Sequence, residues 1–170
     1  GYRTFTADHL LYWGWAGGPT DGPDVPAGYR LGPAHQSSPV ADTVRASFAD
    51  YRNHYAANPL LDQALALEGY VEWVEQLLIS DAATTIVIED PAGLVVAFGV
   101  VDWSPEDPDI RLAAVHPKVQ ASGWYGHVVR ALQREAEARG LLPLLISTQS
   151  GNVNVMRAWA RRGFLPVRTL

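Results

Sequence analysis

Residues 84–103 read TTIVIEDPAGLVVAFGVVDW, two β-branched runs separated by Pro91, Ala92 and Gly93, and this pattern commits the middle of the chain to a β-hairpin. The segments that follow extend a sheet. DIRLAAVHP at 109–117 is predicted as a third strand stopped by Pro117, LLPLLIST at 141–148 as a buried strand with Pro143 at its beginning, and FLPVRTL at 164–170 as the start of another. Helical spacing appears at Val40, Val44, Phe48, Tyr51 and Tyr55, and again at Leu65, Val71, Val74 and Leu78 after the turn-like NPLLD at 58–62. The clearest helix is predicted over 122–140, with Val128, Leu132 and Ala136 on one face and Gly140 as its cap; a shorter one covers 152–163. The order α, α, β, β, β, α, β, α, β places the chain in the α/β class, a mixed sheet with helices on its faces.

The first 40 residues hold seven Gly and five Pro, including GGPTDGPDVPAG at 17–28. Such punctuation breaks long elements, so residues 1–27 are expected to form an irregular arm ahead of one domain at 28–170. Tyr12, Trp13 and Trp15 make the arm too apolar to hang free, and it is expected to pack on the domain. The chain opens on Gly1 rather than Met, and Gly1 is not expected to be the native start.

Composition removes several classes of function. With no cysteine among 170 residues, disulfide scaffolds, thiolate zinc sites and cysteine nucleophiles are excluded. The five histidines and the carboxylates show no metal-ligand spacing, so no metal is expected. No apolar run reaches the roughly 18 residues that span a bilayer, and a cytoplasmic protein without a membrane partner is the expectation.

Charge is unevenly placed. Residues 1–109 carry four Arg against 16 carboxylates, a balance of −12, while residues 110–170 carry eight Arg and one Lys against two Glu, a balance of +7. The last third is therefore suited to an anionic partner. Its arginines lie at helical spacing with no basic tract, which disfavours nucleic acid and favours a phosphorylated small molecule. Trp13, Trp15, Trp73 and Trp103 are expected to pack in the core or a groove.

Within this basic third, VHPKVQASGWYG at 115–126 joins a strand to a helix through Gln120, Ser122 and Gly123. A glycine-containing turn of this kind turns backbone N–H groups toward an anion at a helix N-terminus. A plain strand–helix turn with Gly123 chosen for its backbone angle is the simpler alternative.

From about Gly28 to Leu170 the chain resembles the GNAT acetyltransferase superfamily. The resemblance rests on the two helices, the hairpin, the strand ending at Val115 and Pro117, the loop pattern Gln120-x-x-Gly123, and the closing element from Asn152 to Gly163-Phe164. RNHYAANPLLD at 52–62 and STQSGN at 147–152 are similar to the dTDP-fucosamine acetyltransferase group. The resemblance implies a splayed sheet whose parted strands, at Ile110–Val115 and Leu142–Thr148, hold the pantetheine arm of acetyl-CoA or another acyl-CoA as co-substrate. It places the pyrophosphate on the loop from Gln120 to Gly126, with Ser122, Gly123, Tyr125 and Asn152 nearby, and backbone N–H groups near Ala114 and Val115 on the thioester carbonyl. It also implies that the last strand is cut short at Leu170.

Two positions depart from the family pattern. Tyr125 stands where the loop has a small residue, and Trp159 stands where the closing helix has a tyrosine; indole donates a hydrogen bond but has no acidic proton near neutral pH. Two outcomes stay open: an N-acyltransferase acting on the amine of a small molecule such as an amino sugar, in which Tyr125 points aside and Gly126 takes over the close approach, or a GNAT fold diverted to other biosynthetic chemistry or ligand binding. A protein-interaction subunit is a third class, kept by the aromatic arm, and a homodimer is carried as an option. His54, His116 and Trp159 are the candidate catalytic residues; Tyr55, Asn58, Thr148 and Gln149 are the candidate substrate contacts. Each has a structural alternative: a helix-end histidine for His54, a strand-end cap for His116, an N-cap for Asn152. Glu72 and Glu75 are expected on a solvated face.

Overall fold

Both strands of the central hairpin are apolar on both faces, so each face must be covered, and two layers of helix do this. The computed structural model describes residues 9–35, 39–49, 51, 60 and 62–170. The elements are β1 (Leu10–Trp15), β2 (Arg30–Pro33), α1 (Val40–Phe48), α2 (Gln63–Leu78), β3 (Ala83–Glu89), β4 (Val95–Asp102), β5 (Asp109–Val115), a 3-10 turn (Pro117–Val119), α3 (Trp124–Arg139), β6 (Leu144–Gln149), α4 (Val153–Ala160) and β7 (Leu165–Thr169). They build one seven-stranded sheet in the order β2-β3-β4-β5-β6-β1-β7. One side of it buries Val40 and Val44 of α1 and Val71 and Val74 of α2 against Val87, Phe98, Val100 and Leu112. The other buries Val128, Leu132 and Ala136 of α3 with Trp159 and Phe164 against Ile86, Ile88, Val96 and Ile146.

Local signals explain the element ends. Asp62 caps α2 by accepting from the N–H groups of Ala64 and Leu65. The helix α3 is bracketed by Gly123 at φ +83° and Gly140 at φ +66°, left-handed positions that favour glycine at both ends. Gly99 on β4 lets α3 approach, since a Cβ there would come within 2.6 Å of Val128 and 2.8 Å of Leu132.

The structure corrects the reading of the N-terminal segment. Leu10–Trp15, expected within an irregular arm, is a strand inserted between β6 and β7 and antiparallel to both. Its partners lie more than 125 residues away in the chain, so its pairing leaves no local signature, and the Gly/Pro loop after it masks the run. Leu10 and Leu170 exchange backbone hydrogen bonds of 3.0 and 2.9 Å there. The first helix ends at Phe48, ahead of Tyr51, which its apolar spacing had placed on the helix; Tyr55 lies outside the described residues. The short strand β2 was not foreseen from the sequence. No helix among the described residues is long and apolar enough to cross a membrane.

Candidate active-site cleft

Among the described strands only β5 and β6 pair in parallel, in a register that covers Asp109–Leu145 and Ile110–Ile146. Beyond Ile110 the two strands part. The gap opens into a cleft of about 1340 Å³, walled by the ends of β5 and β6, the loop before α3, and residues of α1, α2 and α4.

Backbone groups are offered to this gap. His116 N–H donates to Val96 O on β4 at 2.8 Å, and successive residues of a strand turn their backbone groups to opposite edges, so Val115 N–H faces the parted side. The Val115 carbonyl on the same edge accepts from Ser47 Oγ at 3.1 Å. Of Ala114 and Val115, named together from the sequence, Val115 is the one whose N–H is free of β4. The loop at the start of α3 brings Gln120, Ser122 and Gly123 to the cleft wall, with Ala121 at φ +62° and Gly123 at φ +83°. A Cβ added at Gly123 would meet nothing within 4 Å, so the space beside it is open and faces a helix N-terminus.

Tyr125 and Trp159, the two positions singled out in the sequence, touch one another. Trp159 Nε1 donates to the Tyr125 hydroxyl at 2.9 Å, and both residues line the cleft. Trp159 is 1% exposed and packs edge-to-face on Trp13 with ring centroids 6.1 Å apart. Burial raises the Tyr125 phenol above its ordinary range, against the hydrogen bond from Trp159, which lowers it. Because indole N–H donates and cannot accept, the Tyr125 proton must point elsewhere, and among the described residues it meets no acceptor.

Thr148, Gln149 and Asn152 also reach the cleft. Gln149 accepts from the hydroxyl of Tyr51. Asn152 occupies the N-cap position of α4 but makes no side-chain cap; its Nδ2 donates to Thr148 Oγ1 at 3.1 Å instead. His116 lies outside the cleft wall: it is buried, and its Nδ1 accepts from Lys118 N–H to cap the 3-10 turn, the structural alternative raised for it. Gly126 does not line the cleft either. A Cβ there would come within 2.5 Å of the Arg162 guanidinium, so its smallness serves that arginine. His54, Tyr55 and Asn58 fall outside the described residues.

Sequence reasoning missed Ser47, Tyr51, Arg157 and Arg161 at the cleft. The basic balance of the last third was the signal for the arginines; Tyr51 was read only as part of a helical face. None of the described lining residues is Asp, Glu or His, and its charged members are Arg111, Arg157 and Arg161. The donor set, which comprises a helix N-terminus, open space at Gly123, Val115 N–H and a phenol, fits a phosphorylated thioester such as an acyl-CoA.

No family model matches the chain, and no curated protein matches it. Solved structures do. The chain is similar to a GCN5-related N-acetyltransferase from Sphaerobacter thermophilus, with a TM-score of 0.68 and 12% identity over 99% of this chain and 51% of that one. It is similar to a tandem GNAT protein from the clavulanic acid biosynthesis pathway, with a TM-score of 0.66 and 16% identity over 95% and 51%. It also resembles the ribosomal-protein-S18-alanine N-acetyltransferase from Escherichia coli, with a TM-score of 0.61 and 13% identity over 82% and 79%. The chain spans about half the length of the first of these structures. Sheet order, parted central strands and these likenesses agree: the chain carries the mixed α/β fold of these GNAT structures.

Proposed function

We propose that the cleft transfers an acyl group, most simply acetyl, from a CoA thioester to the amine of a small molecule such as an amino sugar or a natural-product intermediate. The observation that carries this reading is the parting of β5 from β6 beside a glycine-turned helix N-terminus, which supplies N–H donors for a carbonyl oxygen and for phosphate oxygens in one continuous cavity. A bound acyl-CoA would supply the activated acyl group. Gln120, Ser122 and Gly123 would hold its phosphates, and Val115 N–H would polarise the carbonyl.

Tyr125 takes the place left by the missing closing-helix tyrosine. Its hydroxyl, fixed by Trp159, keeps its proton and directs it into the cleft. Full transfer to a thiolate, whose parent thiol has a pKa of roughly 8.5 on the cysteine scale, would run uphill from a phenol held above the ordinary value of about 10. Tyr125 therefore acts as a hydrogen-bond donor to the departing sulfur or the carbonyl oxygen. With no carboxylate or imidazole among the described lining residues, the amine proton leaves to water or to His54. Thr148, Gln149 and Tyr51 are proposed acceptor contacts.

Two measurements check this. In calorimetric titration CoA should bind, its affinity should fall as salt rises, and Gly123→Val should abolish binding, since a β-branched residue at φ +83° is strained by about 1–2 kcal/mol and swings the N–H groups away. Salt-independent binding, or normal binding by Gly123→Val, removes the loop from the site. In thiol-release assays over a panel of small amines, Tyr125→Phe should lower kcat about 10²- to 10³-fold while CoA affinity stays within about twofold, as for loss of one preorganised donor. Trp159→Tyr should retain or raise turnover. Absence of CoA-dependent turnover with every amine would favour the diverted reading instead.

A further inference from the structure

A second cavity, of about 320 Å³, lies between the loop after β1, the middle of α3 and the turn after α4. Arg130, Arg161 and Arg162 all line it. Arg161 lines the main cleft as well, so the two spaces adjoin.

Separate constraints hold Arg130 and Arg162 at this cavity, and the exposed Arg161 lies beside them. Arg130 on α3 is 4% exposed, and its Nη1 donates to Pro23 O at 3.1 Å, tethering the Gly- and Pro-rich loop. Its Nε is buried and has no partner. Gln133, one turn further along α3, donates to Arg162 O at 2.8 Å and fixes the turn that carries Arg161 and Arg162. The side chain of Arg162 lies over Gly126, where a larger residue would displace it. Burial lowers the Arg162 pKa, and the charges of Arg130 and Arg161 lower it further.

Compensating charge is scarce. Among the described residues Arg30, Arg45, Arg111 and Arg139 pair with carboxylates while Arg134, Arg157 and Arg168 do not, and none of the three cavity arginines forms an ion pair. Asp21 is the single carboxylate on the cavity wall, and it is exposed. Crowding like charges around a partly buried space, with one N–H donor left unsatisfied, is unfavourable unless an anion enters. Guanidinium groups match tetrahedral oxyanions, donating two N–H bonds each in a fixed fork.

We infer that this second cavity is an oxyanion site, taking one phosphoryl or sulfuryl group between Arg130, Arg161 and Arg162. The group has two sources. One is a free phosphorylated or sulfated compound entering past the loop at 17–21. The other is the 3′-phosphate of a CoA lying in the adjoining cleft, and this second source rests on the function proposed above.

The test uses the wild type, Arg162→Gln and Arg161→Gln, with thermal midpoints in inorganic phosphate or sulfate against chloride at equal ionic strength, and calorimetry with CoA against dephospho-CoA. If the site serves a free anion, phosphate or sulfate raises the wild-type midpoint in a saturable way, Arg162→Gln weakens that binding about tenfold, and CoA and dephospho-CoA bind alike. If it serves the 3′-phosphate, CoA binds the wild type about tenfold more tightly than dephospho-CoA, and Arg162→Gln erases the difference. The inference is overturned if neither anion acts beyond chloride and CoA equals dephospho-CoA, or if both arginine variants respond as the wild type does. Failure of CoA to bind at all would refute the proposed function while leaving the inorganic-anion measurement to decide the cavity. Arg130→Met removes the unpartnered donor and should act like Arg162→Gln; should it fail to fold, the two surface-side variants carry the decision.

Discussion

Replacing Trp159 with alanine should destabilise the protein by about 3–5 kcal/mol, the range for deleting a buried aromatic side chain from a packed core. The indole is 1% exposed, packs edge-to-face on Trp13, and donates its only N–H to Tyr125, so alanine leaves a void under the cleft floor together with a stranded phenol. For a chain of this length that loss corresponds to a fall of roughly 10 °C in Tm. Trp159→Phe keeps most of the ring and should fall far less, by about 1 kcal/mol for the lost hydrogen bond. A loss below about 1.5 kcal/mol for alanine would show that the floor collapses onto the gap at little cost, against the packing described.

A second large effect belongs to Asp109, far from the open end of the cleft. Its carboxyl is buried where β5 and β6 still pair; Oδ2 accepts from Arg111 at 3.2 Å, while Oδ1 has no partner. Burial raises its pKa from an ordinary 3.8 to about 6, although Arg111 pulls the other way. Between those two values the folded protein holds a proton that the unfolded chain has lost, so stability falls as pH rises from about 4 to 6 and is level on either side. The shift corresponds to about 3 kcal/mol. Asp109→Asn should remove this slope, so that wild type and variant differ in denaturant midpoint by a pH-dependent amount confined to that window. His127, whose pKa burial lowers, contributes the opposite slope at acid pH, but equally to both proteins, and cancels in the difference. A difference that stays constant from pH 4 to 7 would mean that Asp109 titrates normally.

How much of this was legible depends on how far apart the partners lie. The hairpin at 84–103 was readable because its turn and both strands are contiguous, and β3 and β4 fall within it almost residue for residue. The helix α3 was readable from glycines at its two ends. For the same reason Gln120, Ser122 and Gly123 could be singled out, and they lie on the cleft wall: a strand–turn–helix junction writes its chemistry locally. The strand β1 was not found, because LLYWGW acquires its meaning only from Leu144–Gln149 and Leu165–Thr169. The contact between Tyr125 and Trp159 was hidden by a separation of 34 residues. Read singly, one looked like an obstruction and the other like a missing acid; together they form one hydrogen-bonded pair. His116 could have been placed sooner, since the following proline marks the start of the turn that the imidazole caps.

The insertion of β1 between β6 and β7 sets an order of events for the growing polypeptide. β1 precedes the other described strands in the chain, yet neither of its neighbours exists until residues 144–169 have been synthesised. The sheet from β2 to β5 can assemble meanwhile, while an apolar strand with three aromatic-rich positions waits without a partner. Closure then joins segments far apart in the chain, the kind of contact that folds slowly and leaves intermediates open to aggregation. Among the described strands β7 pairs with β1 alone, so removing Leu10–Trp15 would not trim a tail: it would take out an interior strand and detach β7 with it.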